Sequence, residues 1–402
     1  MYCGGQGIYL YYLTRELHRM GHEVHVIAGP PFPEIAEGIT VHKLDGLDLF
    51  LRKKDFFPDN PFRIFTPFNF YELATSRLGI FDEMLTFSIK AYLKLKELLP
   101  YHRFDIIHDN QTLGYGLLLM KTLHVPVIAT IHHPLPIDTR TDLAQTQGFW
   151  NKIRRAMLYP PVMQGFVARR MDMVITDSAS STNDIRKIFK VSPDKMRLVY
   201  PGVDTVAFCP DSLPKEPGKL IMVGRTDDRK KGIIYLLKAL HLLKGKCNVK
   251  LTIVDDVYPP PYSIAPQLVE EYGLQHMVTF TGRITTEELV RHYTTAEIAI
   301  TASTYEGFGL PAVEAMSCAI PVIATTGGAL PEVVNNGDTG ILVPPGDPYA
   351  LSSAIENLLA DADTRKRMGI AGRERAMEQF TWLRMTRQML SIYSEVIDRH
   401  QR

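Results

Sequence analysis

The stretch Ala296-Glu297-Ile298-Ala299-Ile300-Thr301-Ala302-Ser303-Thr304-Tyr305-Glu306-Gly307-Phe308-Gly309-Leu310-Pro311-Ala312-Val313-Glu314 decides the fold. Residues 296–302 run apolar, as a buried strand does. A glycine-containing loop with Glu306 follows. Pro311 then suits the first turn of a helix, where its missing N–H costs nothing. Glu314 falls about one turn into that helix. Strand, loop and helix in this order predict an α/β unit with a helix start facing the loop. The free N–H groups and the dipole of such a helix start favour an anion. Two carboxylates flanking that point can hold hydroxyl groups on either side of a phosphate.

The same pattern repeats outward from this stretch. Strands are predicted at residues 219–223, 249–254, 278–281, 298–301 and 321–324. In the first half they are predicted at 23–28, 105–108, 125–131 and 173–176. Amphipathic helices alternate with them, at 9–20, 233–243 and 286–293 among others. Such alternation argues for parallel sheets. Residues 200–218 are rich in proline and glycine and lack periodicity, so they read as a linker. The chain is helical from residue 350 onward, and 382–399 form a last amphipathic helix.

The chain has 402 residues, 45% of them apolar, which suits two domains of ordinary size. Basic and acidic residues number 45 and 44, for a net charge of +1. That balance excludes a global electrostatic attraction to nucleic acid or to an anionic membrane. The four cysteines, Cys3, Cys209, Cys247 and Cys318, are too far apart for a metal-ligand motif. They are expected as reduced thiols, and the protein is expected in the cytoplasm, with peripheral contact at the inner membrane face left open. No apolar run approaches the roughly 20 residues that span a bilayer.

Further polar groups stand at predicted strand ends. Val223-Gly224-Arg225 closes one strand, and Lys230-Lys231-Gly232 opens the next helix. Arg225 can fork onto phosphate oxygens and Lys231 can supply a point charge. Lys231 is preferred to Lys230 because it directly precedes Gly232. His108-Asp109-Asn110-Gln111 and Thr130-Ile131-His132-His133-Pro134 close two strands of the first half. Doubly wound sheets bind ligands at such carboxyl ends. Cys3-Gly4-Gly5-Gln6-Gly7 reads as a glycine loop ahead of the first helix.

The spacing Glu306-x7-Glu314, with Arg225 and Lys231, resembles the retaining GT-B-type glycosyltransferases of family four. The resemblance spans nearly the whole chain and is strongest over residues 219–345. It implies two doubly wound, Rossmann-like α/β domains facing a cleft. Residues 1–200 would form the acceptor-side domain and 201–380 the nucleotide-sugar domain, with 381–402 crossing back to the first. It implies transfer of a hexosyl group from a nucleotide-diphosphate sugar to a hydroxyl of a glycan, a small molecule or a lipid-linked acceptor. Glu306 would lie at the transferred sugar and Glu314 at the ribose. Phe308, Gly309 and Leu310 would offer backbone contacts, and Gly5 would abut the donor phosphate. His132 would stand near the reacting sugar, with Asn110, Gln111 and Gly7 on the acceptor side. Arg225, Lys231 and helix starts would neutralise the diphosphate, so no metal and no cofactor is expected. Rival readings are a nucleotide-sugar epimerase or phosphorylase of the same fold, and a non-catalytic nucleotide-sugar-binding subunit.

Three local expectations complete the reading. The family's first strand is missing here, because the glycine loop stands almost at residue 1; Met1 is therefore expected to be an internal methionine. Pro201-Gly202-Val203-Asp204 and Thr326-Gly327-Gly328-Ala329-Leu330-Pro331-Glu332 resemble family segments. The first is expected to be structural, and Gly327 and Gly328 to let the nucleotide approach the backbone. Asp255 and Asp256 stand where the family often has a glycine-rich turn, which departs from its pattern at the base or phosphate. Lys152, Arg154, Arg155, Arg169 and Arg170 among aromatics could touch an anionic bilayer, although a helix with a solvated face explains them more simply.

Overall fold

The computed structural model describes residues 4–46, 66–77, 83–134, 161–255 and 263–402. The basic residues Lys152, Arg154 and Arg155, and Asp256, lie outside them. The chain divides into two compact units, Met1–Val199 with Thr386–Arg402, and Tyr200–Met385.

In the first unit, β1 (His25–Ala28) and β2 (Thr40–Lys43) pair in parallel. A second parallel sheet holds β3 (Ile107–Asn110), β4 (Val127–Ile131), β5 (Met173–Thr176) and β6 (Met196–Leu198), in that order. Every residue of β4 and β5 is buried. That is why these segments read as unbroken apolar runs: helices cover both faces of a parallel sheet. The register pairs Asn110 with Thr130 and Ile131 with Thr176. The carboxyl ends of β3, β4 and β5 therefore finish together, and the polar residues that follow them are neighbours.

In the second unit, β7 (Lys219–Val223), β8 (Lys250–Val254), β9 (Val278–Phe280), β10 (Ile298–Thr301), β11 (Val322–Thr325) and β12 (Gly340–Val343) form one parallel sheet. Its order is β12-β11-β10-β7-β8-β9. The direction of strand progression reverses between β7 and β10, so the sheet's topological switch point lies there. Ligands bind doubly wound sheets at the carboxyl ends beside such a point. Leu236, Leu237 and Leu240 of the helix Ile233–Leu243 pack with Ile253 and Ile300 on one face. Val313 and Met316 pack with Ile221 and Val322 on the other.

The segment at Pro201 is structural, as expected. Val203 N–H donates to the Phe380 carbonyl at 2.8 Å, and a Cβ on Gly202 would meet Trp382 N at 2.2 Å. The glycine loop at residues 4–7 requires a correction. These residues form the first turn of a helix, Gly4–Arg19, not a turn ahead of one starting near Tyr9. A Cβ on Gly5 would meet nothing within 4 Å, so no close approach demands glycine there. The first turn of a helix tolerates glycine because its N–H groups are unpaired in any case.

Candidate active site

The second unit builds its site at the switch point. The segment after β10 loops through Glu306 and enters the helix Leu310–Ser317 at Gly309. Gly309 has φ of 105°, a left-handed conformation that glycine adopts at least cost. Lys231 reaches the same point from the segment after β7. Its Nζ donates to Glu306 Oε1 at 2.6 Å, and Ser303 Oγ donates to the same oxygen at 2.8 Å. Both side chains of the ion pair are largely buried. Burial alone would lower the Lys231 pKa, but the Glu306 carboxylate and its hydrogen bond outweigh this, and the net direction is upward. Lys231 is thus a fixed cation beside a helix start.

Backbone contacts hold this loop in shape. Thr304 N–H donates to the Lys230 carbonyl at 2.7 Å, and Ala329 N–H to the Glu306 carbonyl at 2.9 Å. A Cβ on Gly328 would meet Glu306 O at 2.1 Å, and one on Gly327 would meet Thr304 O at 2.7 Å. These glycines admit the Glu306 loop itself to close approach. Gly232, at φ of 70°, similarly passes Ala302 O, which a Cβ would meet at 2.0 Å.

The other predicted residues of this unit are spread around the pair. Glu314 accepts a hydrogen bond from Tyr293 OH at 3.0 Å. Burial raises the pKa of Glu314 to about 7, against the smaller lowering effect of that bond. The Phe308 ring is buried against Tyr200 and Phe380, so only its backbone is available to a ligand. Arg225 is more than half exposed and forks onto Asp227, at 3.0 and 2.6 Å. Asp255 is buried and accepts from Thr226 N and Oγ1, both at 2.7 Å. Its carboxylate fastens the strap after β7, which accounts for the acid at that position. Glu332 accepts from Tyr200 OH at 3.1 Å, a partner 132 positions away in the sequence.

The first unit gathers a second polar cluster at the ends of β3, β4 and β5. His132 places Nε2 2.9 Å from Asn110 Oδ1 and Nδ1 3.3 Å from Asp177 Oδ2. Asn110 Nδ2 donates to the Gln6 carbonyl at 3.2 Å, which turns its Oδ1 toward His132. The Nε2 of His132 therefore carries a hydrogen. Burial raises the Asp177 pKa, and its hydrogen bond to His132 opposes this. The contacts to Asn110 and Asp177 fix the orientation of the His132 ring. Gln111 braces the turn: its Oε1 accepts from His132 N at 2.7 Å, and its Nε2 donates to the His133 carbonyl at 3.1 Å. Tyr9 meets the His132 ring edge-on at 4.8 Å. His108, half-buried between Thr130 Oγ1 at 2.7 Å and Tyr393 OH at 2.6 Å, has its pKa lowered to about 3, chiefly by desolvation.

Residues 3–207 match the family description "Glycosyltransferase Family 4", and residues 210–375 match "Glycosyl transferases group 1". The chain belongs to glycosyltransferase family 4. This glycosyltransferase is 36% identical to the MMP alpha-(1->4)-mannosyltransferase of Mycolicibacterium hassiacum, covering 99% of its own length and 96% of the relative's. It is 26% identical to a D-inositol 3-phosphate glycosyltransferase of Corynebacterium diphtheriae, over 98% and 90%. Its structure resembles that of a sucrose-phosphate synthase from Thermosynechococcus elongatus, with a TM-score of 0.78 and 26% identity over 98% and 94%. The fold is GT-B, with parallel sheets in two Rossmann-like units.

Sequence reasoning missed several partners in this glycosyltransferase. Asp177 was visible as the first polar residue after the apolar run of β5, the same signal that singled out His132. Ser303 lay within the stretch first quoted, three residues before Glu306. Tyr293 and Asp227 gave no signal, because their relevance depends on where other elements place them.

Proposed function

We propose that this glycosyltransferase moves a hexosyl group from a nucleotide-diphosphate sugar to an acceptor hydroxyl, with retention of anomeric configuration. The observation that carries this is the Lys231–Glu306 pair beside the start of the helix Leu310–Ser317, at the switch point of the sheet. A diphosphate placed there gains the Lys231 ammonium and the helix N–H groups, while Glu306 accepts from sugar hydroxyls. As the bond between the anomeric carbon and the phosphate oxygen breaks, negative charge grows on the leaving group, and fixed donors stabilise it most. Arg225 would exchange Asp227 for a phosphate oxygen, and Glu314 would accept from the ribose.

For retention, the acceptor oxygen bonds to the anomeric carbon on the face the phosphate leaves, and its proton passes to the departing phosphate. His132, held by Asn110 and Asp177, is assigned to a substrate hydroxyl, and Gln111 to the turn that positions it. Neither metal nor cofactor is invoked, since Lys231 and the helix start supply the positive charge. The names of the relatives, a mannosyltransferase and an inositol phosphate glycosyltransferase, favour a mannosyl donor and a small polar acceptor as first trials. Membrane attachment forms no part of the proposal. Among the described residues no helix is long and apolar enough to cross a bilayer. Arg169 donates to the Phe189 carbonyl at 2.7 Å, and Arg170 stacks on Phe166.

Incubating the full chain with a panel of nucleotide-diphosphate sugars, with and without acceptors, tests the proposal. Nucleotide release is expected only with an acceptor and in step with glycoside formation. Release driven by free phosphate, or epimerised donor, would replace it with a rival.

A further inference from the structure

Outside these clusters, one group of side chains in the first unit has the composition of a metal site. Glu23 Oε1 lies 2.9 Å from His25 Nε2 and 3.6 Å from His102 Nδ1. The three ligand atoms all fall within 4.8 Å of one another. Zinc bonds of roughly 2.0–2.2 Å at tetrahedral angles set ligand atoms about 3.4 Å apart, so small side-chain rotations suffice to centre an ion. Two imidazoles and a carboxylate form a nitrogen–oxygen set that suits a first-row divalent transition ion better than calcium or magnesium.

A fourth residue orients this set. The register pairs Ile27 with His42, which puts His42 on the same sheet face as His25 and diagonal to it. His25 Nδ1 lies 3.0 Å from His42 Nε2. That spacing lets His42 Nε2 accept the Nδ1 hydrogen of His25. That tautomer leaves the Nε2 lone pair aimed at Glu23 and His102, the arrangement that ligating histidines adopt with an outer partner. Phe104 closes the apolar side, its ring 5.2 Å from that of His25. The His25 side chain is 7% exposed, while Glu23 at 77% and His102 at 37% leave the approach from solvent open.

We propose that Glu23, His25 and His102 bind one divalent transition-metal ion, of the zinc class, with water as fourth ligand. The ion would tie the entry to β1 to the connection leading into β3, strands that lie in separate sheets among the described residues. This is a structural clasp, independent of the sugar-transfer chemistry.

Titrating the tag-free, metal-stripped full chain with ZnCl2 against a chromophoric chelator tests it. One ion per chain should bind with micromolar or tighter affinity and raise the melting temperature. His102→Ala, in the half-buried connection ahead of β3, should weaken binding at least about a hundredfold, and His42→Phe about ten- to a hundredfold. Both variants should keep the far-ultraviolet circular dichroism and the melting temperature of the metal-free parent. Absence of saturable binding, or binding unchanged in His102→Ala, overturns the proposal. If His102→Ala does not fold, Glu23→Gln on the exposed rim provides the same comparison.

Discussion

Glu314→Gln replaces a carboxyl whose ordinary pKa of 4.5 is raised to about 7, chiefly by burial. The folded chain then binds a proton that the unfolded chain releases. The stability held by the protonated form is fully present below pH 4.5 and is lost as pH rises to about 7. Integrated over that window, ionising this half-buried group costs roughly 3 kcal/mol at pH 8 and under about 1 kcal/mol at pH 5. Glutamine keeps the shape and stays neutral at every pH. The variant should therefore match the parent near pH 5 and exceed it by about 3 kcal/mol at pH 8. Urea unfolding of both chains at pH 5, 6, 7 and 8, followed by circular dichroism, measures the difference. The proposed ribose contact adds a second readout: nucleotide-sugar affinity should fall about tenfold or more as stability rises. An offset that is the same at all four pH values, or a variant less stable at pH 8, would refute the reasoning.

Other expectations follow from single contacts. Gly328→Ala forces a Cβ against Glu306 O at a φ of 65°; it should cost at least about 2 kcal/mol in denaturant unfolding and weaken donor binding. Asp177→Asn removes the carboxylate that lies 3.3 Å from His132 Nδ1. Turnover should drop about ten- to a hundredfold with donor affinity nearly unchanged, and steady-state kinetics separates the two. Adding Mg2+ or Mn2+ to the assay should change turnover by less than about twofold, because Lys231 and the helix start are assigned the leaving-group charge.

The alternation of apolar runs and amphipathic helices showed the α/β class because it follows directly from burial of parallel strands. Strand ends were legible for the same reason: His132 and Arg225 are the first polar side chains after apolar runs, and Asn110 lies in the polar run 108–111 that closes β3. The pairing of Lys231 with Glu306 was not legible. It depends on β7 and β10 being adjacent, and 75 positions separate the two residues. Gly327 and Gly328 were read as room for a nucleotide, whereas their nearest neighbours are the backbone of the Glu306 loop. A glycine's need for space is visible in sequence, but what fills the space is a tertiary fact. Gly4 to Gly7 misled in the opposite way. Glycine there signalled a loop, yet the segment is the first turn of a helix, and a Cβ on Gly5 would meet nothing within 4 Å.

The central claim is that Lys231 and Glu306 hold and activate a nucleotide-diphosphate sugar for transfer. Its most direct test is single-turnover product formation by parent, Lys231→Ala and Glu306→Gln chains, with nucleotide-diphosphate mannose and a small hydroxyl acceptor, read by mass spectrometry. The parent is expected to form one glycoside per nucleotide diphosphate released, and each variant to be slower by about a hundredfold or more while remaining folded. Near-parental rates in either variant would contradict the claim.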